Sequence, residues 1–145
     1  MAVTVKSVVL WRKEVENKTG VLAQTLDPVA KLGADLQVVM AYRYPGNESQ
    51  AAIEVYPVAG KKLTAAAGEV GLAASSIPTL LVEGDNKPGL GHVIAKSIAD
   101  AGINLSFLVA QVVGRRYSAV IGFETIADAK KAFALIKKTS ASKRK

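Results

Sequence analysis

The stretch GDNKPGLG at residues 84–91 has a close counterpart, ENKTGV, at residues 16–21. At the same spacing of 69 positions, residues 14–41 match the later segment at eight positions, whereas random pairing would give roughly two. The similarity resumes at a spacing of 67 from residue 51, which implies that one hairpin is two residues shorter. The chain is therefore predicted to contain two copies of one structural unit.

Each copy has the same predicted order of elements. Apolar and β-branched residues at 5–15 and 77–83 predict a first strand. After each turn, apolar residues recur at helical spacing, and alternation then predicts two strands that form a hairpin. Pro28 predicts a kink in the first helix, or a new helical turn capped by Asp27. A second helix follows in each copy, and in the second copy it begins with a capping-box-like sequence at Thr125.

This order predicts an α+β protein made of two tandem ferredoxin-like βαββαβ units, with antiparallel sheets and helices on one face. The last strand of each unit is short or missing, because few residues remain for it. We place the first unit at residues 1–73, the second at 74–138 and a basic, disordered tail at 139–145. The open sheet edges that result would be covered by the two halves or by two chains.

Composition excludes several classes of function. The net charge is +7, but much of the excess lies from Lys137 onward, so the folded body is nearly neutral. Without cysteine there is no disulfide, thiolate zinc site or cysteine nucleophile, and a cytoplasmic location is the default. No apolar stretch approaches the ~20 residues that span a bilayer. With one histidine and scattered carboxylates, we expect no enzyme, metal site or cofactor.

Two phosphate-binding motifs fail at the glycine-rich turn. A phosphate-binding loop needs Lys and Ser or Thr after the second glycine, where Leu90 and Gly91 stand. A dinucleotide-binding fingerprint starting at Gly89 needs a further glycine, where Ile94 stands. The turn is therefore not expected to bind a nucleotide.

The turn keeps the features that hold a simpler anion. Amides at the first turn of a helix, together with the helix dipole, bind groups such as a carboxylate. Gly89 lets a ligand approach the backbone, while Pro88 stiffens the turn. The neighbouring Asp85 and Asn86 could hold an ammonium group. Opposite charges this close together fit an amino acid zwitterion.

The pattern acid-Asn-Lys-x-Gly-Leu/Val at the start of a helix, followed by Gly-Ile-Asn-Leu at 102–105, resembles the ACT domain, an amino-acid-binding regulatory module. The resemblance covers about residues 5–138 as two copies. It implies a stand-alone, non-catalytic regulator that forms a homo-oligomer, a dimer above all, and acts on an enzyme or regulator that the sequence does not name. It also implies that an amino acid binds at the loop between first strand and first helix. The positions that match in the two copies are Asp85, Asn86, Pro88, Gly89, Leu90, Gly91, Asn104, Glu16, Asn17, Gly20, Val21 and Asp35.

Two alternatives remain. An ACT scaffold without ligand would have the same sequence pattern, since a glycine turn before a helix is often only a turn. An RNA-recognition motif has the same element order, but residues 116–123 have Tyr117 in place of the glycine of its third strand, and Ser118 and Val120 in place of two stacking aromatic residues. Nucleic acid is therefore not the favoured partner, and a membrane is not expected. Trp11, Tyr42 and Tyr44 are expected to be core or interface residues. His92 could contact a ligand carboxylate, but we expect it to be a partly exposed helix residue.

Overall fold

A computed structural model of the chain describes residues 3–142 and the side chains of residues 3–139. The strands are β1 Val3–Val8, β2 Trp11–Glu16, β3 Val38–Tyr44, β4 Asn47–Tyr56, β5 Ala73–Ala74, β6 Thr79–Asp85, β7 Leu105–Val113 and β8 Arg116–Phe123. The helices are α1 Val21–Lys31, α2 Lys61–Glu69, α3 Leu90–Asp100 and α4 Ile126–Ser142.

The chain divides into two units, and each contains one four-stranded antiparallel sheet. The first unit spans Val9–Ser76, and its strands lie in the order β3-β4-β2-β5. The second unit consists of β1 together with the residues from Ile77 onward, and its order is β1-β6-β8-β7. The predicted α+β fold of two ferredoxin-like units is confirmed.

The first predicted strand, residues 5–15, is wrong as a single element. The structure divides it into β1 and β2, which belong to different sheets. β1 pairs antiparallel with β6, with Val5 opposite Val82. Alternation of apolar residues predicts an extended chain but not its partner strand. The first unit therefore begins at Val9 rather than at residue 1, and it ends at Ser76 rather than at residue 73.

The fourth strand of each unit has a different source. In the first unit it is β5, only two residues long, which pairs with β2 at Trp11 and Arg12. In the second unit β1 takes this place and pairs with β6 along six residues. The edge of β6, which we expected to be open, is therefore covered within its own unit.

One face of each sheet packs against that unit's helices. In the first unit Ile53 and Val55 of the sheet share a core with Val29 of α1. In the second unit the core includes Ile121 and Phe123 of the sheet with Ile94 and Ile98 of α3, together with α4 residues. This confirms the prediction of helices on one face, and it leaves the start of each first helix next to the sheet end where β2 or β6 finishes.

Pro28 lies inside α1, which continues as one helix from Val21 to Lys31. Asp27 therefore does not cap a new helical turn, and its carboxylate pairs with Lys31 at 2.9 Å.

The last helix begins as predicted and ends later. The Asp128 amide donates to the Thr125 hydroxyl at 3.0 Å, as a capping residue requires. α4 continues to Ser142, so residues 139–142 are helical rather than part of a disordered tail. The remainder of the predicted tail, residues 143–145, lies outside the described residues. None of the helices described within residues 3–142 combines the length and the hydropathy that a membrane span requires.

The pairing registers correct the alignment of the two copies. Val15 lies opposite Ala51 in the first unit, and Gly84 lies opposite Tyr117 in the second. Since Val15 and Gly84 are 69 positions apart, they are equivalent, and Ala51 is equivalent to Tyr117 rather than to Ser118. The spacing of these strands is therefore 66, not 67. A shift of one residue exchanges the two faces of a strand, so the earlier alignment paired a core residue with one on the other face.

Candidate functional site: the strand-to-helix turns

The two glycine turns have the same backbone geometry. Gly20 has φ 85° and ψ −5°, and Gly89 has φ 86° and ψ 0°. This left-handed conformation is one that glycine adopts without the steric strain of a Cβ. Each glycine directly precedes its helix, and neither helix start has a side-chain cap. The predicted turns before the first helices are thus present in both units.

Both helices begin with amides that lack acceptors within the helix. The Val21 amide donates to the Lys18 carbonyl at 3.2 Å, and the Leu90 amide donates to the Lys87 carbonyl at 3.0 Å. Helix geometry leaves the next amides of the first turn without intrahelical acceptors, at the positive end of the helix dipole. An anion that reaches these amides would receive backbone hydrogen bonds.

The two asparagines fix these turns to the adjacent hairpins. The backbone amide of Asn17 donates to the Ser49 carbonyl at 2.9 Å, and the backbone amide of Asn86 donates to the Arg115 carbonyl at 2.7 Å. The Asn17 side-chain nitrogen also donates to the Glu48 carbonyl at 3.0 Å. This bond leaves the Asn17 side-chain oxygen as an acceptor.

The acidic residues of the turns already have cationic partners. Asp85 accepts a hydrogen bond from Arg116 at 2.9 Å, and Glu16 lies 3.0 Å from the ammonium of Lys18. All four side chains are exposed. Each carboxylate therefore already has an ion-pair partner on the surface, in addition to the ligand contact that the sequence predicts.

A cavity of about 250 Å³ lies beside the turn of the first unit. Its apolar lining consists of Val15, Val21, Leu22, Ala41, Ala51, Ala52 and Ile53. Its polar lining includes Asn17, Lys18 and Arg43, and Gly20 contributes backbone. The structure thus brings Asn17, Gly20 and Val21 of the predicted site together around one cavity, without Glu16.

Tyr42 also lines this cavity, although the sequence predicts only a structural role for it. Its hydroxyl donates to Oε2 of Glu54 at 2.8 Å, and Glu54 is fully buried. Burial, together with the hydrogen bond to Glu54, raises the pKa of Tyr42. Arg12 lies 3.9 Å from the other carboxylate oxygen of Glu54. A glutamate within the apolar run of β4 was the sequence signal for this buried network.

The predicted residues of the second unit divide into three groups. Asp85, Asn86, Pro88 and Gly89 form an exposed turn. Leu90 is buried in the core, so only its backbone can face a ligand. Gly91 lies over Tyr117, whose hydroxyl would be 3.6 Å from a Cβ at this position. His92 is exposed in the first turn of α3.

Asn104 and Asp35 do not join the turns of their own units. Each follows a helix of 11 residues whose start is the turn, so about 16 Å of helix separates them from it. Asp35 instead lines a separate groove of about 640 Å³, which also includes Gly60 and Lys61.

No protein family model matches the chain, and no curated protein matches it. Solved structures do. A protein from Bacteroides thetaiotaomicron has a TM-score of 0.74 at 16% identity, with 93% of this chain and 90% of that chain covered. The regulatory subunit of aspartate kinase from Thermus thermophilus has a TM-score of 0.63 at 15% identity, with 95% and 96% covered.

A third structure, a putative C-terminal regulatory domain of aspartate kinase from Porphyromonas gingivalis, has a TM-score of 0.57 at 11% identity, with 96% of each chain covered. The chain has the ACT-type fold of these regulatory subunits. The resemblance expected from the Asn-Lys-x-Gly turns is therefore confirmed at the level of the fold. Both ACT-type units present the strand-to-helix turn that the resemblance singles out.

Proposed function

We propose that the chain is a non-catalytic regulatory protein that binds a small amino acid or a similar metabolite at the turn between first strand and first helix of an ACT-type unit. The cavity beside the turn of the first unit carries this proposal. It joins an uncapped helix start to an apolar wall, and these two features suit the two ends of an amino acid.

Each part of the zwitterion has a matching group. The carboxylate would accept hydrogen bonds from the first-turn amides of α1, where the helix dipole favours negative charge. The ammonium would donate to the Asn17 side-chain oxygen, because the Asn17 nitrogen is held by Glu48. A small apolar side chain would pack against Val15, Ala51 and Ile53. The volume of about 250 Å³ is below the ~300–1,000 Å³ typical of sites for drug-sized ligands.

We propose that the regulatory signal is a change in assembly. The edge strands of the two sheets are surfaces on which another chain could pair. β3 and β7 are edge strands. On β7, Val109 is 51% exposed and Val113 is 66% exposed. An unpaired apolar edge strand favours pairing with another chain. We therefore propose a homodimer in the cytoplasm whose arrangement shifts on ligand binding and thereby regulates an enzyme or regulator.

Calorimetric titration with the standard amino acids tests the proposal. We expect heat with a small subset of them. Asn17→Ala should weaken binding by about 10- to 100-fold, because it removes a hydrogen bond to a charged group. Asn86→Ala in the second unit is the matched control and should bind as the wild type does, since it leaves the cavity of the first unit intact.

Two results would contradict the proposal. If none of the amino acids produces heat with a correctly folded protein, the ligand-free scaffold is the better account. If Asn17→Ala binds as tightly as the wild type while its melting temperature is unchanged, the ligand binds elsewhere. Circular dichroism of both variants separates a loss of binding from a loss of folding.

A further inference from the structure

The two units differ in what lies beneath their matching turns. In the first unit Ala51 faces the cavity. In the second unit the equivalent position, fixed by the pairing of Val15 with Ala51 and of Gly84 with Tyr117, carries a tyrosine. The phenol ring therefore starts from the place where the first unit has only a methyl group.

The ring of Tyr117 extends toward the first turn of α3. Tyr117 is only 5% exposed and belongs to the core of the second unit, with Leu90 and Val82. Its hydroxyl lies 3.6 Å from the position that a Cβ on Gly91 would occupy. The side chain thus spans the distance from β8 to the start of the helix, which is the region that the cavity occupies in the first unit.

The residues that surround this position differ in size between the two units in the opposite sense: they are large in the first unit and small in the second. At the spacing of 69, Val15 is equivalent to Gly84 and Leu22 is equivalent to Gly91. The first unit has two large residues around a small one, and the second has two glycines around a large one. Since protein cores are packed to a nearly constant density, such compensation keeps the space beneath α3 filled.

We propose that Tyr117 permanently occupies, in the second unit, the site that is open in the first unit. The chain then binds one ligand, in the first unit, and the second unit binds none because its own side chain fills the site. This inference rests on the proposed function for the identity of the site, but the packing exchange can be tested without any natural ligand.

The first experiment restores the missing ring with a small molecule. Tyr117→Ala should lower the melting temperature, and phenol, which matches the deleted ring, should raise it again. At a phenol concentration ten times its Kd, the ratio of folded to unfolded protein rises about 11-fold. This corresponds to a rise of about 6–11 °C in the melting temperature of a domain of this size. Wild type in the same phenol series is the control for binding elsewhere. A phenol response of Tyr117→Ala no larger than that of the wild type would overturn the inference.

The second experiment counts ligands per chain by calorimetry with any amino acid that binds the wild type. We expect one per chain for the wild type and two for Tyr117→Ala. We expect none for the reciprocal variant Leu22→Gly/Ala51→Tyr, which transfers the tyrosine to the first unit. Tyr117→Leu, a smaller change, replaces Tyr117→Ala in this count if the alanine variant does not fold.

The outcomes separate the two proposals. Two ligands per wild-type chain would overturn the occupancy of the second unit and leave the proposed function standing. No binding of any amino acid by the wild type would overturn the proposed function, and the phenol experiment would then decide on Tyr117 by itself.

Discussion

Replacing Ala51 by leucine tests whether the cavity of the first unit is usable space. Ala51 is 8% exposed and lines the cavity of about 250 Å³. Leucine adds three carbons, and each buried CH₂ contributes about 0.8 kcal/mol. The free energy of unfolding should therefore rise by up to about 2 kcal/mol. Because the new side chain takes the space assigned to the ligand, amino acid binding should be lost in the same variant.

Urea unfolding followed by circular dichroism measures the first effect, and calorimetry measures the second. Ala67→Leu is the matched control in the same unit, because Ala67 is fully buried in α2. Overpacking there should lower the free energy of unfolding by about 1–3 kcal/mol. If Ala51→Leu is destabilised as much as Ala67→Leu, the space beside the turn is not available to a side chain or a ligand.

Three further predictions concern the fold. Gly122→Ala should lower the free energy of unfolding by about 1–3 kcal/mol, since a Cβ there would overlap the Phe107 ring; an unchanged urea midpoint would show that the ring moves freely. Gly68→Ala should raise the free energy of unfolding by about 0.5–1 kcal/mol, because Gly68 lies inside α2 with open space around it. A decrease would mean that residue 68 is not helical in solution. Burial raises the pKa of both Tyr42 and Tyr117, and the bond to Glu54 adds to the effect at Tyr42. The folded protein therefore keeps phenolic protons that the unfolded chain loses, so stability should fall as the pH rises above about 10. Ultraviolet titration of tyrosinate in native and urea-unfolded protein checks this, and identical titration curves would contradict it.

Much of the fold follows from local sequence. Gly20 and Gly89 adopt the left-handed conformation that their position before each helix predicts. The spacing of apolar residues predicts α1, α3 and α4, the alanine content predicts α2, and Thr125 predicts where α4 begins. These features depend on backbone sterics and on contacts within a few residues, so the sequence is sufficient to predict them.

Pairing between distant strands was not predictable in the same way. The alternating pattern of residues 5–15 is satisfied equally by one strand or by two strands in different sheets. Only the structure shows that β1 lies against β6, more than 70 residues away. The same limit affected the repeat, where an alignment one residue out of register concealed the equivalence of Ala51 and Tyr117.

The sequence by itself therefore determined two βαββα repeats, each with a glycine turn that opens a helix and exposes backbone amides. The tertiary structure decided that the small side chain of Ala51 lies beside a cavity at the first turn and that the ring of Tyr117 lies beneath the second turn. The sequence does not show which distant residues will lie opposite each other in a sheet. Their combined volume becomes apparent only when the strands are paired and the helix is packed above them.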